Sequence, residues 1–438
     1  MRLHTILLAT TFCFSIHSAS SQTGAPAGVP PAQAKPVKRA VASFWTSAEP
    51  TFDEGTRDRI NEALLSYSAI EVRGGWPTLA KVTLEPGAKG ADVAKLRARL
   101  AITEDLPPEL ADGDAYDMML TEAVKRFQIR HGLPETGTAG PQTIEALNVP
   151  VGKRIRQLAA SLDRLNGVNF VFGQRYVVVN IPAAVAEAVE DGKVARRYVT
   201  VVGKTDRPSP TLTASITAVN LNPTWTVPLS ILKKDVVTKM RKDPSYVSRM
   251  RMRVLDAAGN EVDPRTVDWH SDRTPNFTVR QDSGDGNALG NLRIDMPNSY
   301  SVYMHDTNHK EFFSADYRFQ SSGCTRVQGV HDLAAWILKD KEGWSRKEID
   351  AEIATGKRTT VRLARPMPVA WIYLTGWASP DGTIHFRKDV YDLDPRPAVA
   401  TTIDVGRPLR VSAARASGFV LQSADPPALR PASYLDSR

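Results

Sequence analysis

The chain has 438 residues, a formal charge of +8 from 56 Lys and Arg against 48 Asp and Glu, and 42% hydrophobic residues. That balance belongs to a folded protein of two or three domains and excludes a disordered or fibrous chain. Past Ile16 no apolar run approaches the ~20 residues needed to span a bilayer, and no Lys/Arg run interleaved with aromatics marks a nucleic-acid partner.

In chain order, residues 1–20 read as a signal peptide: Arg2, an apolar run from Leu3 to Ile16, then the small residues Ser18, Ala19 and Ser20 at a cleavage position. Residues 21–40, rich in Ala, Pro and Gly and containing Pro30-Pro31, predict a tether. Residues 41–83 predict a helical scaffold segment, with a helix from Glu54 to Tyr67 carrying Ile60, Ala63 and Leu64 on one face. A small three-helix module is expected over 84–150. Its helices are Gly90–Leu100 (Val93, Leu96 and Leu100 inward), Tyr116–His131 closed by Gly132, and Gln142–Leu147. Phe127, Leu133 and Leu147 are expected to fill its core. A helical connection follows at 151–174.

From Tyr176 β-branched runs separated by turn residues predict strands: Tyr176–Pro182, Tyr198–Gly203, Ser215–Leu221, Tyr300–His305 and Val369–Thr375. A segment rich in Lys, Arg, Met and Asp at about 229–276 predicts an insertion standing over the sheet. Residues 395–438, rich in Pro, Ala, Arg and Ser, are expected to be a mobile tail. The fold class is therefore α+β and multidomain: a mostly-β domain over 175–394 with its insertion, plus the small helical module.

The chain has two cysteines. Cys13 lies in the leader, so Cys324 is the thiol left after secretion, in a compartment where structural cysteines pair. A lone thiol there points to chemistry; the other reading is an inert buried Cys. A thiol becomes a nucleophile when a neighbour takes its proton, and His305 at a strand end is the expected base, with His331 the rival and His309 a solvent-facing spacer residue. Asp306 would orient His305 through its carboxylate or its backbone carbonyl. Gly323 leaves the backbone open for an oxyanion hole.

His305, a spacer, then Ser321-Ser322-Gly323-Cys324-Thr325-Arg326 resembles the active-site signature of the L,D-transpeptidases. The resemblance extends through Gln281–Gly290, Asn298–Thr307, Asn222–Pro228 and Pro368–Tyr391, roughly residues 175–394. Many members carry His before Gly-Cys and Asn two residues after Cys. Ser322 and Arg326 here match the large periplasmic Gram-negative type. Thr121–Leu133, with Gly137, Gly140, Thr143 and Leu147, resembles the three-helix peptidoglycan-binding module.

The resemblance implies a periplasmic enzyme that crosslinks peptidoglycan through a Cys324 thioester, with no cofactor and no metal. Its partners would be stem peptides and glycan, with a carbapenem adduct expected at Cys324. The insertion would be a lid that excludes water. Three other outcomes stay open: an L,D-carboxypeptidase that gives the same thioester to water, attachment of an outer-membrane protein to the wall, and a non-catalytic wall-binding protein. Tyr303, Ser322, Arg326, Gln281, Asn287 and Gly290 are the expected substrate-binding residues. Tyr303 could instead be core, and Gln281, Asn287 and Gly290 could simply form tight turns. Trp225, Trp371 and Trp377 are expected in the core. Asp282, Asp285, Asp295 and Asp306 lack a repeating ligand spacing and are not expected to hold metal.

Overall fold

A computed structural model describes residues 46–271, 276–284 and 286–395. The expected leader with Cys13, the tether, the tail and Asp285 lie outside the described residues.

The mostly-β domain is a ring. Its chain begins β1 (Arg175–Asn180), β2 (Val185–Glu190), β3 (Lys193–Gly203) and β4 (Leu212–Leu221). Four short strands follow in the insertion: β5 (Trp225–Thr226), β6 (Met252–Leu255), β7 (Glu261–Val262) and β8 (Thr278–Gln281). The ring resumes with β9 (Leu292–Asp295), β10 (Met304–His305), β11 (Phe319–Ser321), β12 (Thr325–Val327) and β13 (Thr359–Ile372). The order is β11-β3-β12-β10-β9-β4-β13-β1-β2, and β2 also pairs with β3. That extra pairing closes the sheet and leaves β11 attached outside it, so most of the strand edges are occupied.

The run Tyr176-Val-Val-Val179 is apolar throughout because both faces of β1 are covered. Val177 and Val179 join the cluster shared by the ring strands and the helix Val330–Ile337. Tyr176 and Val178 face a second cluster, built with helices α1 (Thr56–Val72) and α5 (Val151–Asn166) and the hairpin β14 (Gly376–Ala378) to β15 (Ile384–Phe386). The scaffold segment and the helical connection are thus part of the mostly-β domain's core.

The module's helices are α2 (Ala91–Ile102), α3 (Met118–Arg130) and α4 (Pro141–Leu147), close to the expected spans. Asp117 caps α3 by accepting from the Leu120 N–H at 2.8 Å. Gly132 ends it with φ of 66°, and a Cβ there would meet the Arg387 guanidinium. Phe127 and Leu147 are buried with Leu96 and Leu100 in the module's own cluster, against which Leu133 packs.

The insertion has its own core of Val227, Leu232, Val236, Met240, Val247, Val254 and Val279, and its own sheet, ordered β5-β8-β6-β7. It is therefore wider than 229–276, since its first and last strands begin at Trp225 and end at Gln281. Short, charge-rich strands carry little periodic signal, which explains the narrower expectation. Trp371 and Trp377 are buried as expected, but Trp225 is only half-buried, at the seam between insertion and ring.

Candidate active site

Register brings the site together. In the parallel β10–β12 pair, Met304 faces Thr325 and His305 faces Arg326, and the Thr325 N–H donates to the Tyr303 carbonyl at 3.1 Å. Tyr303 therefore stands opposite Cys324, and His305 is its neighbour on the diagonal. Side chains alternate along a strand, so Tyr303, His305, Cys324 and Arg326 share one face while Met304 turns into the ring core. Tyr303 and His305 rings meet edge to face at 5.7 Å. On β9, Arg293 pairs with His305 and lies over the Tyr303 ring at 5.3 Å.

The turn that carries Cys324 is tightly held from behind. Gly323 has φ of 114°, which excludes a side chain. Its carbonyl accepts from Ser209 Oγ at 2.7 Å, and its N–H donates to Ser321 Oγ at 3.2 Å. Ser321 Oγ in turn donates to the Cys324 carbonyl at 2.6 Å. The Gly323 amide, the expected oxyanion donor, is therefore engaged, while the Cys324 amide has no hydrogen-bond partner among the described residues and the Tyr303 amide faces the sulfur.

Of the two routes expected for Asp306, the structure favours the backbone one, because its carboxylate is engaged elsewhere. Its carboxylate accepts from the Asn291 N–H at 3.1 Å and from Lys310 Nζ, and it packs so closely that a Cβ on Gly290 would come within 2.4 Å of it. It secures the turn before β9. The His305 ring keeps a buried Nδ1 without a well-formed hydrogen bond, with the Asp306 backbone as a favourable neighbour.

Gln281 and Asn287 are likewise fixtures. Gln281 Nε2 donates to the Met250 and Gly286 carbonyls, both at 3.0 Å, and its Oε1 accepts from Ala288 N–H at 2.9 Å. Asn287 Nδ2 donates to the Pro223 and Asp282 carbonyls, and its Oδ1 accepts from Leu289 N–H at 2.7 Å. Both are almost wholly buried with their amides saturated, so they join insertion to ring and offer little to a ligand. With Gly290, they follow the tight-turn alternative left open by the sequence and not the substrate-binding one. Ser322 is exposed, while Tyr303 and Arg326 are half-buried at the site.

The resting electrostatics favour neutral partners. Burial pushes the Cys324 thiol up to about 11, against smaller opposing effects of Tyr303, Arg326 and Arg293. Burial, then Arg326, pushes His305 down to about 3. At neutral pH the two groups are thus thiol and imidazole. Alkylation of Cys324 by iodoacetamide is accordingly expected to climb through pH 9–11, following the raised thiol. A rate plateau already reached at pH 7 would show a resting thiolate instead.

Arg326 is the other unusual group. Its guanidinium lies over the Phe312 ring at 5.5 Å, and Nε and Nη1 are buried with no acceptor among the described residues. Ser209, which holds the Cys324 turn, was missed by sequence reading, and Ser321 was read only as part of the signature, because a hydroxyl near a turn carries no signal of which carbonyl it will reach.

The thiol thus lies just ahead of β12 and the imidazole on the adjacent β10, beside an insertion with a core of its own. Residues 174–363 match the YkuD family, described as the L,D-transpeptidase catalytic domain, and residues 89–147 match a "Putative peptidoglycan binding domain". The chain thus carries a YkuD-family L,D-transpeptidase catalytic domain together with a peptidoglycan-binding-type module. A "Putative L,D-transpeptidase" of Haemophilus influenzae is 34% identical over 260 residues, covering 58% of this chain and 52% of that protein. The chain therefore spans about half the length of the curated relative it matches. Among solved structures, an L,D-transpeptidase from Stackebrandtia nassauensis is 14% identical, covering 59% of this chain and 90% of that one with a TM-score of 0.25. One from Xylanimonas cellulosilytica is 16% identical, covering 67% and 98%, with a TM-score of 0.21.

Proposed function

We propose that the protein is a periplasmic L,D-transpeptidase that joins the third residues of two peptidoglycan stems. The observation that carries this reading is the placement of Cys324 on a braced glycine turn, opposite Tyr303 and diagonal to His305, with a cationic rim.

In this reading the Cys324 sulfur attacks the carbonyl carbon of the third residue of a tetrapeptide donor as its proton passes to His305. The Cys324 amide holds the developing oxyanion. The bond from that carbonyl to the terminal D-alanine nitrogen breaks, His305 returns the proton to the nitrogen, and D-alanine leaves. The side-chain amine of a second stem then attacks the thioester. A new amide forms, the carbon–sulfur bond breaks, and the amine's proton returns to sulfur through His305. The scissile amide supplies the energy, so no nucleotide or metal enters. Incubation with disaccharide tetrapeptide is expected to yield a crosslinked dimer and free D-alanine. Tripeptide alone would establish the carboxypeptidase instead.

Arg326 supplies the donor's recognition. Burying Nε and Nη1 of Arg326 without a hydrogen-bonded acceptor is costly, and an acidic ligand group would offset that cost. Its ligand in this reading is the free side-chain carboxylate of a diamino acid at the third stem position. Arg326→Gln is expected to raise KM for the donor by roughly ten- to a hundredfold, the worth of a charged hydrogen bond at about 1.5–3 kcal/mol, with kcat changed much less. An unchanged KM in steady-state kinetics would remove Arg326 from donor binding.

A further inference from the structure

The loop between β3 and β4 holds the nucleophile turn in two places. It leaves the ring at Gly203 and folds back so closely that a Cβ there would meet the Arg207 carbonyl and the Ser209 amide, each at 2.4 Å. Tyr391 anchors its base, donating to the Gly203 carbonyl at 2.5 Å and accepting from the Ser209 N–H at 3.2 Å. From this pinned loop, Ser209 grips the Gly323 carbonyl. Two residues earlier, Arg207 Nη1 donates to Ser322 Oγ at 3.2 Å.

The same Arg207 guanidinium also reaches the insertion. It pairs with both oxygens of Asp235, Nη2 to Oδ1 at 2.8 Å and Nη1 to Oδ2. Asp235 lies in a π-helical turn, Leu232–Val236, whose Leu232 and Val236 are buried in the insertion's own core. A π-turn inserts an extra residue into a helix and re-aims its side chains, and such turns recur at functional positions. Here the turn faces the pair toward the nucleophile loop. With side-chain exposures of 16% and 34%, the pair is reachable by solvent, so it can break and re-form.

We propose that Arg207 is a positioning residue that couples closure of the insertion to the geometry of the nucleophile turn. With the insertion seated, Asp235 holds the guanidinium against Ser322, and Arg207 and Ser209 together set the Gly323–Cys324 peptide. With the insertion lifted, Arg207 loses its anchor on Asp235, and of the two holds from this loop the turn keeps only the one at Ser209, beside its own Ser321 brace. The site would therefore reach its attacking geometry when covered, which ties acylation to exclusion of water. This inference rests on the acyl-transfer reading of Cys324.

The test compares the full chain with Asp235→Asn, Arg207→Ala, the double variant, Arg207→Lys and Ser322→Ala. Imipenem acylation of Cys324 is followed by intact mass, with hydrogen exchange measured over residues 229–242. Each single change at 207 or 235 is expected to slow acylation about tenfold or more, as small misplacements of reacting groups do. The double variant should lose no more than the worse single one, and Arg207→Lys should recover part of the rate. Ser322→Ala should slow acylation without raising exchange in the insertion, whereas Asp235→Asn should do both. Raised exchange with unchanged acylation, or losses that simply multiply in the double variant, would overturn the coupling while leaving the enzyme assignment intact. A wild-type chain that forms no adduct and no product would overturn the acyl-transfer reading itself, and the coupling with it.

Discussion

Replacing Cys324 with alanine is expected to abolish the covalent carbapenem adduct and to lower crosslink formation by a factor on the order of 10⁴ or more, the scale seen when a nucleophile is removed. The expectation follows from geometry as much as from sequence. The Gly323 turn, braced by Ser209 and Ser321, presents the sulfur beside Tyr303 and the one imidazole that the β10–β12 register places on its face. His331, the rival base, is committed elsewhere: its Nδ1 meets Asp350 Oδ1 at 2.8 Å. His309 is exposed and paired with Glu311. His305→Ala should therefore cost about 10²–10⁴ in acylation rate, the usual share of a general base, while His331→Ala leaves it intact. Intact-mass and single-turnover measurements check both. Full activity in Cys324→Ala would end the assignment of Cys324 as the nucleophile.

The second large effect concerns the joint between the helical module and the catalytic half. Asp105 is buried and accepts from Arg130 Nε at 2.6 Å, Arg130 Nη2 at 2.5 Å and Thr103 Oγ1 at 2.7 Å. Around it, arginines cap the C-terminal ends of the module's helices. Arg387 donates to the Arg130 carbonyl at the end of α3, while Arg154 and Arg99 donate to the Ala146 and Leu147 carbonyls at the end of α4. Their guanidinium faces rest on aromatic rings, Arg99 over Trp76 at 3.9 Å and Arg154 over Phe386 at 4.7 Å. Asp105 is the carboxylate that pairs with Arg130 in this cationic joint.

Asp105→Ala would leave Arg130 unpaired beside other buried guanidiniums, and a broken buried pair costs about 3–5 kcal/mol. Chemical denaturation should show that loss. A change under about 1 kcal/mol would mean water reaches the joint. Acid should act in the same direction. Burial and the surrounding arginines hold His131 far below its ordinary value, and His385 behaves alike. Both stay neutral when folded and take up protons when unfolded. Stability is therefore fully present above about pH 6.5 and is lost as pH falls.

These residues also divide what local sequence reports from what folding decides. The helices of the module, its Gly132 stop, the central strands of the ring and the singular thiol were legible. Each rests on short-range physics: side-chain periodicity, backbone freedom at glycine, and the small number of residue types able to act as nucleophiles. The insertion was located too, though trimmed at both ends, because β5 and β8 are too short for a period to emerge.

Polar side chains behaved differently. Asp306, Gln281 and Asn287 sit where a site residue would be expected along the chain, yet their hydrogen-bonding capacity is spent on turns. Ser209, Arg207 and Asp105 carry no local mark and emerged only when distant segments met. A hydrophobic face must be buried somewhere, so its pattern shows in sequence. A polar group can be satisfied by any of many partners, and only the tertiary fold determines which one lies within reach.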